Sequence, residues 1–189
     1  MSTLKIAAVF ADKAEARNVA KASQSLMFEA SAETTEHLPF AALVLGTSES
    51  LMDLKQRTDV GLDLVNERAV LNPPLSMLDH DMLPVIAGVF PMVANPEISP
   101  KAADTHWREQ HAPIALDVHT AMTHYYQLSV VHRFSGEDWN GLALCCFANE
   151  DDLRNKFYDS PEGKRRVALD VAKFADTRNS PRRVVARLV

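Results

Sequence analysis

The stretch that decides the fold is SPKAADTHWREQHAPIALDVH, residues 99–119. Ser99 can cap a helix whose first position, Pro100, needs no N–H donor, so a helix is predicted to start here. It should run to about His119 and bend or restart at Pro113, because proline removes a hydrogen bond inside a helix. Mostly apolar residues recur at helical spacing, which predicts a face packed against a sheet. That face comprises Ala103, Trp107, His111 or Gln110, Ile114 and Val118.

Strand patterns lie on both sides of this helix. An apolar run precedes it, and two runs rich in apolar and aromatic residues follow it, separated by the turn Gly136-Glu137-Asp138. Asn149 and Ser160 each mark the start of a further helix. The predicted strands are Leu83–Ala94, Met122–Phe134, Trp139–Phe147 and, as an edge strand, Arg182–Leu188. The resulting order of strand, helix, strand, strand, helix, strand is typical of a ferredoxin-like unit.

The first half repeats this order less clearly. Asp12 can cap one helix and Ser48 another, with apolar faces formed by Ala16, Val19, Ala20 and Leu26 and by Leu51, Leu54, Leu62 and Val65. The strand candidates are Leu4–Ala11, Leu26–Ala32, Phe40–Leu45 and Glu67–Leu71. We predict an α+β protein in which tandem ferredoxin-like βαββαβ units form an α/β barrel with antiparallel sheets and outer helices. The expected halves are a degenerate one at residues 1–75 and a second at 76–189, with a linker at Asn72–Met82.

Composition narrows the classes of partner and compartment. The net charge of −5 provides no field that would gather phosphate backbones, so nucleic acid is not expected as a partner. The longest apolar run, Leu83–Ala94, is interrupted by prolines and too short to span a bilayer. The adjacent Cys145 and Cys146 are the only cysteines, which excludes a disulfide framework. We therefore expect a soluble cytoplasmic protein.

Histidines are concentrated near the deciding helix, where five of the seven lie between His106 and His132. For any single histidine, a surface or helix-end position is the ordinary interpretation. His111, however, falls on the helix face that packs toward the sheet, whereas His106 falls on a more exposed stripe. A buried histidine must find a hydrogen-bond partner or border a cavity, because an unpaired polar group there is costly. His111 is therefore the candidate for chemistry.

Alternation along the following strand indicates which of its faces borders a pocket. One face carries Tyr125, Gln127, Ser129, Val131 and Arg133, and is unusually polar for a covered strand. The other face has an apolar middle suited to packing against another sheet. We assign the Tyr125 face to the pocket, and a one-residue bulge would invert the assignment.

Four motifs follow one another in the second half. They are HWREQHAPI at 106–114, Tyr125, Trp139-Asn140-Gly141 with Cys146-Phe147, and Ser160-Pro161-Glu162-Gly163 with Phe174 and Asp176. In this order they resemble the EthD-like family of the dimeric α/β-barrel proteins, over about residues 82–188. The resemblance implies a pocket between sheet and helices, and isomerase, cyclase, oxidase or decarboxylase chemistry without metal or organic cofactor.

Carried over to this chain, the family's helix histidine and strand tyrosine are His111 and Tyr125, the predicted catalytic pair. Trp107 is expected to form a wall of the pocket. The other predicted substrate contacts are Gln127, Ser129, His106 and Ile114. Two departures count against a complete match. Leu144 stands where relatives often carry an acidic residue, and the first half has no histidine in its equivalent helix.

Several interpretations stay open. The leading one is a cofactor-independent acid–base enzyme, of the lyase, isomerase or cyclase type, acting on a small hydrophobic aromatic or phenolic compound such as a polyketide-like substrate. The alternatives are a cofactor-free monooxygenase, a non-catalytic binding or stress-response protein that holds an apolar ligand, and a histidine with a purely structural role. A metal site is not expected, because His106 and His111 lie on different helix faces. The barrel could close within one chain or between two chains of a homodimer.

Overall fold

A computed structural model of the protein describes residues 2–32, 35–75 and 83–189. Its strands are β1 (Ser2–Phe10), β2 (Leu26–Ala30), β3 (Ala42–Gly46), β4 (Gly61–Leu71), β5 (Ile86–Met92), β6 (His124–Ser135), β7 (Gly141–Phe147) and β8 (Val184–Leu188). Its helices are α1 (Lys13–Ser23), α2 (Ser48–Leu51), α3 (Pro100–His106), α4 (Ala112–Val118), α5 (Glu150–Asn155) and α6 (Pro161–Phe174). A 3₁₀ segment, Met52–Gln56, follows α2, and a π-helical segment, Trp107–His111, joins α3 to α4.

The described strands form one closed barrel in the order β1-β3-β2-β8-β5-β7-β6-β4. Neighbouring strands are antiparallel throughout. Each half supplies four strands in the predicted βαββαβ order, so the α+β barrel of tandem units is confirmed. The predicted start of the second half at residue 76, and most of the predicted linker Asn72–Met82, lie outside the described residues.

The prediction that Arg182–Leu188 forms an edge strand is wrong. β8 pairs with β2 of the first half through Phe28 and Leu188, and with β5 of its own half through Ile86 and Arg187. The other seam between the halves is the long pairing of β4 with β6. Because both seams lie within one polypeptide, the barrel closes without a second chain.

Helix starts follow the predicted caps at four positions. The side chains of Asp12, Ser99, Asn149 and Ser160 each accept a hydrogen bond from the backbone N–H three residues later. The predicted second helix of the first half is wrong in its cap and in its length. Thr47 is the cap, α2 ends at Leu51, and both Leu62 and Val65 belong to β4.

In the first half, the spacing of apolar residues also led to a wrong helix assignment. Leu26, predicted on the first helix, begins β2. A spacing of three residues places two side chains on one face of a helix but on opposite faces of a strand. Short apolar runs therefore fit either element, and here cross-strand pairing of β4 with β1 and β6 decides for the strand.

The helix predicted at residues 99–119 is irregular at Trp107–His111, one turn before the predicted bend at Pro113. The Ala112 N–H donates to the Trp107 carbonyl oxygen, five residues back, which is the bond of a π-helical turn. Pro113 then occupies the first turn of α4, where its missing N–H is tolerated. The wider turn shifts the buried face, so that Ala115 is buried and Ile114 is only half-buried.

The barrel interior holds the main apolar cluster, to which both halves contribute. Tyr126 and Leu128 of β6 belong to it, whereas Tyr125 packs outside against the helix residues Ala112 and Ala115. The predicted faces of β6 are therefore confirmed along this part of the strand. Beyond Val130 the register shifts against β4, and the faces invert as a bulge requires.

Candidate active site

A cavity of about 360 Å³ lies between the outer face of the second-half sheet and the helices that cover it. Strands β5, β6 and β7 form its floor, and the π-helical segment, α4 and α6 form its roof. The lining residues are mostly apolar or aromatic: Phe90, Pro91, Met92, Trp107, His111, Ala115, His119, Tyr125, Ala143, Cys145, Phe157, Tyr158, Val167, Ala168, Val171, Phe174, Ala175, Thr177, Ser180 and Pro181. The volume falls at the lower end of small-molecule sites.

His111 lies in the roof and is held by a carboxylate from the neighbouring helix. Its Nδ1 is 2.9 Å from Oδ2 of Asp170 on α6. The other carboxylate oxygen, Oδ1, is 3.0 Å from Nε2 of His106. Asp170 is 3% exposed and His111 is 7% exposed, so this is a buried pairing, while His106 reaches toward the surface. The two imidazoles thus bracket a single carboxylate.

The charge states follow from this arrangement. Burial lowers the pKa of His111 and outweighs the hydrogen bond that the ring donates to Asp170, so the imidazole is neutral at pH 7. Burial opposes ionisation of Asp170, but the hydrogen bonds from His106 and His111 outweigh it and hold the pKa of Asp170 below its ordinary value. An ionised carboxylate only accepts hydrogen bonds, so Nδ1 of His111 carries the proton. Nε2 of His111 is therefore the ring's unprotonated nitrogen and its basic site.

Tyr125 lies on the floor with its hydroxyl oxygen held by two donors. Trp107 Nε1 donates to it at 3.2 Å and Gln127 Nε2 donates at 3.1 Å. The orientation of the Gln127 amide is set by its second hydrogen bond, to the Trp107 carbonyl oxygen at 3.0 Å. Burial raises the pKa of Tyr125, so the phenol keeps its proton. With both lone pairs engaged, the hydroxyl is left to act as a donor.

Trp107 forms one wall of the cavity and is held from several sides. Its ring stacks on Phe174 of α6, with centroids 6.4 Å apart and an interplanar angle of 15°. The guanidinium of Arg68, from β4 in the first half, lies 5.3 Å from the ring centroid and forms an ion pair with Asp104. On the sheet side, a Cβ at Gly141 would lie 2.6 Å from Cζ3 of Trp107. Glycine is required at residue 141 for this close approach.

His119, at the end of α4, also lines the cavity and is 4% exposed. Its Nδ1 is 2.5 Å from the Phe157 carbonyl oxygen, which only accepts, so Nδ1 carries the proton. Burial lowers the pKa of His119, which keeps the ring neutral. Cys145 lines the cavity as well, whereas Cys146 packs in the barrel interior. Burial raises the pKa of Cys145 to about 12, so its thiol is not ionised near neutral pH.

The predicted site residues divide into two groups. His111, Tyr125 and Trp107 meet at the cavity. His106, Gln127, Ser129 and Ile114 do not line it. His106 instead forms a hydrogen bond with Asp170, and Gln127 donates a hydrogen bond to the Tyr125 hydroxyl oxygen. Ser129 lies in the sheet between Asn66 and Gly141, and Ile114 is turned away by the π-helical segment.

Sequence reasoning missed Asp170 and His119. Asp170 had a signal, because it falls on the buried stripe of α6 that includes Gly163, Val167 and Phe174. A lone carboxylate on such a stripe needs a partner, as the argument for His111 already required. His119 also had a signal, because it follows His111 by eight residues and so returns to the same helix face.

Two kinds of feature are not found within residues 2–32, 35–75 and 83–189. No group of three or more His, Cys, Asp or Glu side chains is placed to hold a metal ion. None of the helices in these ranges combines the length and the hydropathy that crossing a bilayer demands.

Comparison with known proteins identifies a known domain within the second half of the chain. Residues 95–178 match the family model of the EthD domain. The resemblance to the EthD-like family is confirmed. This EthD segment includes His111, His119 and Tyr125, which line the cavity, and His106 and Asp170, which bond around His111. A search of curated proteins finds no match to the chain.

Solved structures share the barrel as a whole. An anthrone oxidase-like protein is 10% identical with a TM-score of 0.58, over 98% of this chain and 90% of that one. A protein from Lactobacillus acidophilus NCFM named as a "putative monooxygenase" is 7% identical with a TM-score of 0.50, over 100% and 93%. At such identities the likeness concerns the fold, which in both cases extends beyond the EthD segment into the first half.

Proposed function

We propose that the protein is an acid–base enzyme that removes and returns a proton on a small aromatic or phenolic compound. The observation that carries the proposal is the state of His111. It is a neutral imidazole at a mostly apolar cavity, with its protonated nitrogen tied to Asp170 and its basic nitrogen available. Neutral imidazole is the side chain best suited to proton transfer near pH 7.

The proposed steps use three polar groups: the His111 imidazole, the Asp170 carboxylate and the Tyr125 hydroxyl. Nε2 of His111 takes a proton from a carbon beside a carbonyl, and the imidazolium that forms is stabilised by the Asp170 carboxylate. Tyr125 donates its hydrogen bond to the oxygen on which negative charge develops. Return of the proton to another carbon completes an isomerisation. In a cyclisation the carbanion forms a bond to a second carbonyl carbon of the substrate, whose oxygen takes the proton. In an elimination the adjacent C–O bond breaks, and the departing hydroxyl group takes the proton and leaves as water. These are the reactions of the lyase, isomerase and cyclase types, and none of the steps uses a metal or organic cofactor.

A cofactor-free oxygenation is the second candidate. It is favoured by the anthrone oxidase-like protein, whose fold is similar along nearly the whole chain. The first step would be the same deprotonation by His111, after which the substrate carbanion itself would reduce O₂. The two candidates therefore share their base and differ in the fate of the carbanion.

The test is a screen of phenolic and polyketide-like compounds with product mass measured by mass spectrometry. Loss of water or carbon dioxide, or an unchanged mass with altered structure, supports the first candidate. A gain of oxygen atoms supports the second. A compound that saturates the cavity and is never converted would instead identify a non-catalytic binding protein.

Variants then assign the base. His111→Ala should reduce turnover by at least about 10²-fold, as expected when a general base is removed. Tyr125→Phe should reduce it by a smaller factor with the fold intact. His132→Ala, on the exposed part of β6, is the matched control and should leave turnover unchanged. Full activity in His111→Ala would eliminate the proposed mechanism.

A further inference from the structure

The cavity contains a second neutral imidazole that the proposed proton transfer does not use. His119 is almost fully buried and lines the cavity, with its ring centroid 4.5 Å from that of Phe157. Its Nδ1 proton is committed to the Phe157 carbonyl oxygen. Among the described residues no hydrogen-bond partner faces its Nε2. That nitrogen is not among the fully buried side-chain atoms left without a partner, so it is accessible from the cavity and can accept a hydrogen bond from a ligand donor.

The surroundings of the two histidines differ in a way that separates their roles. His111 is held by a carboxylate, which stabilises the imidazolium that proton abstraction creates. His119 is held by a neutral carbonyl oxygen, which gives an imidazolium much less support. His119 is therefore suited to accept a hydrogen bond from the ligand and not to take a proton from carbon.

We infer that His119 is the second anchor of the cavity, which accepts a hydrogen bond from a hydroxyl at the far end of an extended, uncharged aromatic ketone. The inference rests on the proposed function for the ketone end, where His111 and Tyr125 act. Eight residues separate the two histidines, about 12 Å of helix at roughly 1.5 Å per residue. A bicyclic ketone with a hydroxyl on its second ring carries an oxygen at each end and can pair with both histidines.

The lack of charged side chains in the cavity lining also predicts which ligands bind weakly. None of the described residues that line the cavity is Asp, Glu, Lys or Arg. Arg183 is not a lining residue, but its guanidinium carbon lies 5.3 Å from the Phe157 ring centroid and its charge acts on the lining residues Cys145 and Tyr158. A carboxylate in place of the ligand hydroxyl would meet the lone pair of His119 in a mostly apolar site, which is unfavourable. A carboxylate at the His119 end of the ligand should therefore bind more weakly than the hydroxyl.

Binding of three ketones to the full chain, measured by calorimetry at pH 7.5, tests this directly. The probes are 6-hydroxy-1-tetralone, 1-tetralone, which lacks the hydroxyl, and 1-tetralone-6-carboxylate. For the wild-type protein we expect the hydroxy-ketone to bind at least about tenfold more tightly than either of the others. Equal or tighter binding of the carboxylate, or no binding of the hydroxy-ketone, would overturn the inference.

The role of His119 is isolated by comparing the binding of the hydroxy-ketone and 1-tetralone to the wild type and to His119 variants, a binding cycle. In His119→Phe, which keeps a ring but removes the acceptor, the preference for hydroxy-ketone over 1-tetralone should fall to about onefold. His119→Gln, which retains an acceptor oxygen, should keep part of the preference, and this variant serves if His119→Phe unfolds. His132→Phe is the control outside the cavity. A preference that survives in both His119 variants would contradict the assignment, whereas loss of turnover in these variants alone would not bear on it.

The cycle separates this inference from the proposed function. Binding of unconverted tetralones does not require proton abstraction, so His119 can be assigned even if His111→Ala leaves turnover intact. Conversely, a requirement for His111 in turnover with no role for His119 in binding would leave the proposed function standing and remove only the second anchor.

Discussion

The outer faces of the two halves are built on the same βαββαβ frame, yet among the described residues only the second half has a buried aspartate and buried histidines in its helix layer. In the first half the buried residues of α1 are Ala16 and Ala20, which pack on an apolar cluster that includes Phe10 and Val44. In the second half, the equivalent layer holds two buried histidines and Asp170. The difference shows that the site arises from side chains on a shared scaffold and not from the scaffold itself.

The first half nevertheless contributes to the site from its last strand. Its buried polar residues among the described ranges are Asp63, Glu67 and Arg68, and all three lie on β4, which pairs with β6 of the second half. Arg68 reaches the Trp107 ring and Asp104 of α3. The first half is therefore an architectural partner that positions the helix above the cavity.

The two halves also differ in how they treat a buried aspartate. Asp170 accepts hydrogen bonds from two imidazoles, and its pKa is lowered. Asp63 has only Arg133 nearby, at 3.4 Å, and burial raises its pKa to about 6. Asp170 is therefore stabilised as an anion, whereas Asp63 is partly protonated near neutral pH.

The largest effect is expected from breaking the polar layer of the second half. Asp170→Asn should lower turnover by at least about 10²-fold, because the neutral amide cannot stabilise the imidazolium of His111. Asp170 also raises the pKa of His111, so the acid limb of the pH–rate profile should move to lower pH in the variant. Asp117→Asn, which removes a surface ion pair with Arg166, is the control. An unshifted profile with normal turnover would show that Asp170 has no catalytic consequence.

A smaller effect is expected from disturbing the wall of the cavity. Gly141→Ala places a methyl group against Trp107 and within 3.0 Å of the Leu128 carbonyl oxygen, so the rigid indole must move. The expected loss of unfolding free energy is about 2 kcal/mol, measured by urea denaturation. Adding Trp107→Phe should recover part of it, because the smaller ring leaves room. Unchanged stability in the single variant would mean that the indole is not packed as described.

The smallest effect concerns Asp63. Its folded pKa of about 6 lies above the ordinary value of 3.8, so the native state binds more protons than the unfolded state between pH 4 and 6. Stability should therefore fall as pH rises through that window, by roughly 1–2 kcal/mol. Asp63→Asn should remove this dependence and be the more stable protein at pH 7.5. Asp138→Asn, at the exposed partner of Arg133, should keep the wild-type dependence. Parallel pH profiles for Asp63→Asn and the wild type would contradict the raised pKa.

The helix starts of the second half could be predicted because the sequence signals that mark them act over only a few residues. Ser99 with Pro100, and Ser160 with Pro161, mark helix starts through bonds made within a few residues. His111 and Tyr125 followed from helix periodicity, strand alternation and the family resemblance. The π-helical turn did not follow, because the bond from Ala112 to Trp107 replaces an ordinary one without a distinct sequence mark.

Long-range contacts set the limits of prediction. The partner of His111 lies 59 residues away on α6, and the packing of α6 against α3, the π-helical segment and α4 brings Asp170 to it. Likewise, β8 reads as an edge strand until its pairing with β2 of the other half is known. In the first half, Leu62 and Val65 fit a helix by spacing, and their strand is determined by neighbours on both sides.

The central claim is that His111 is a neutral base whose Nδ1 proton is held by Asp170. Nitrogen NMR of the ring, with the resonances assigned by comparison with His111→Ala, tests it most directly. At pH 7 we expect a protonated Nδ1, an unprotonated Nε2, and titration at a pKa below the ordinary 6.5. An imidazolium at pH 7, or the tautomer with the proton on Nε2, would contradict the account.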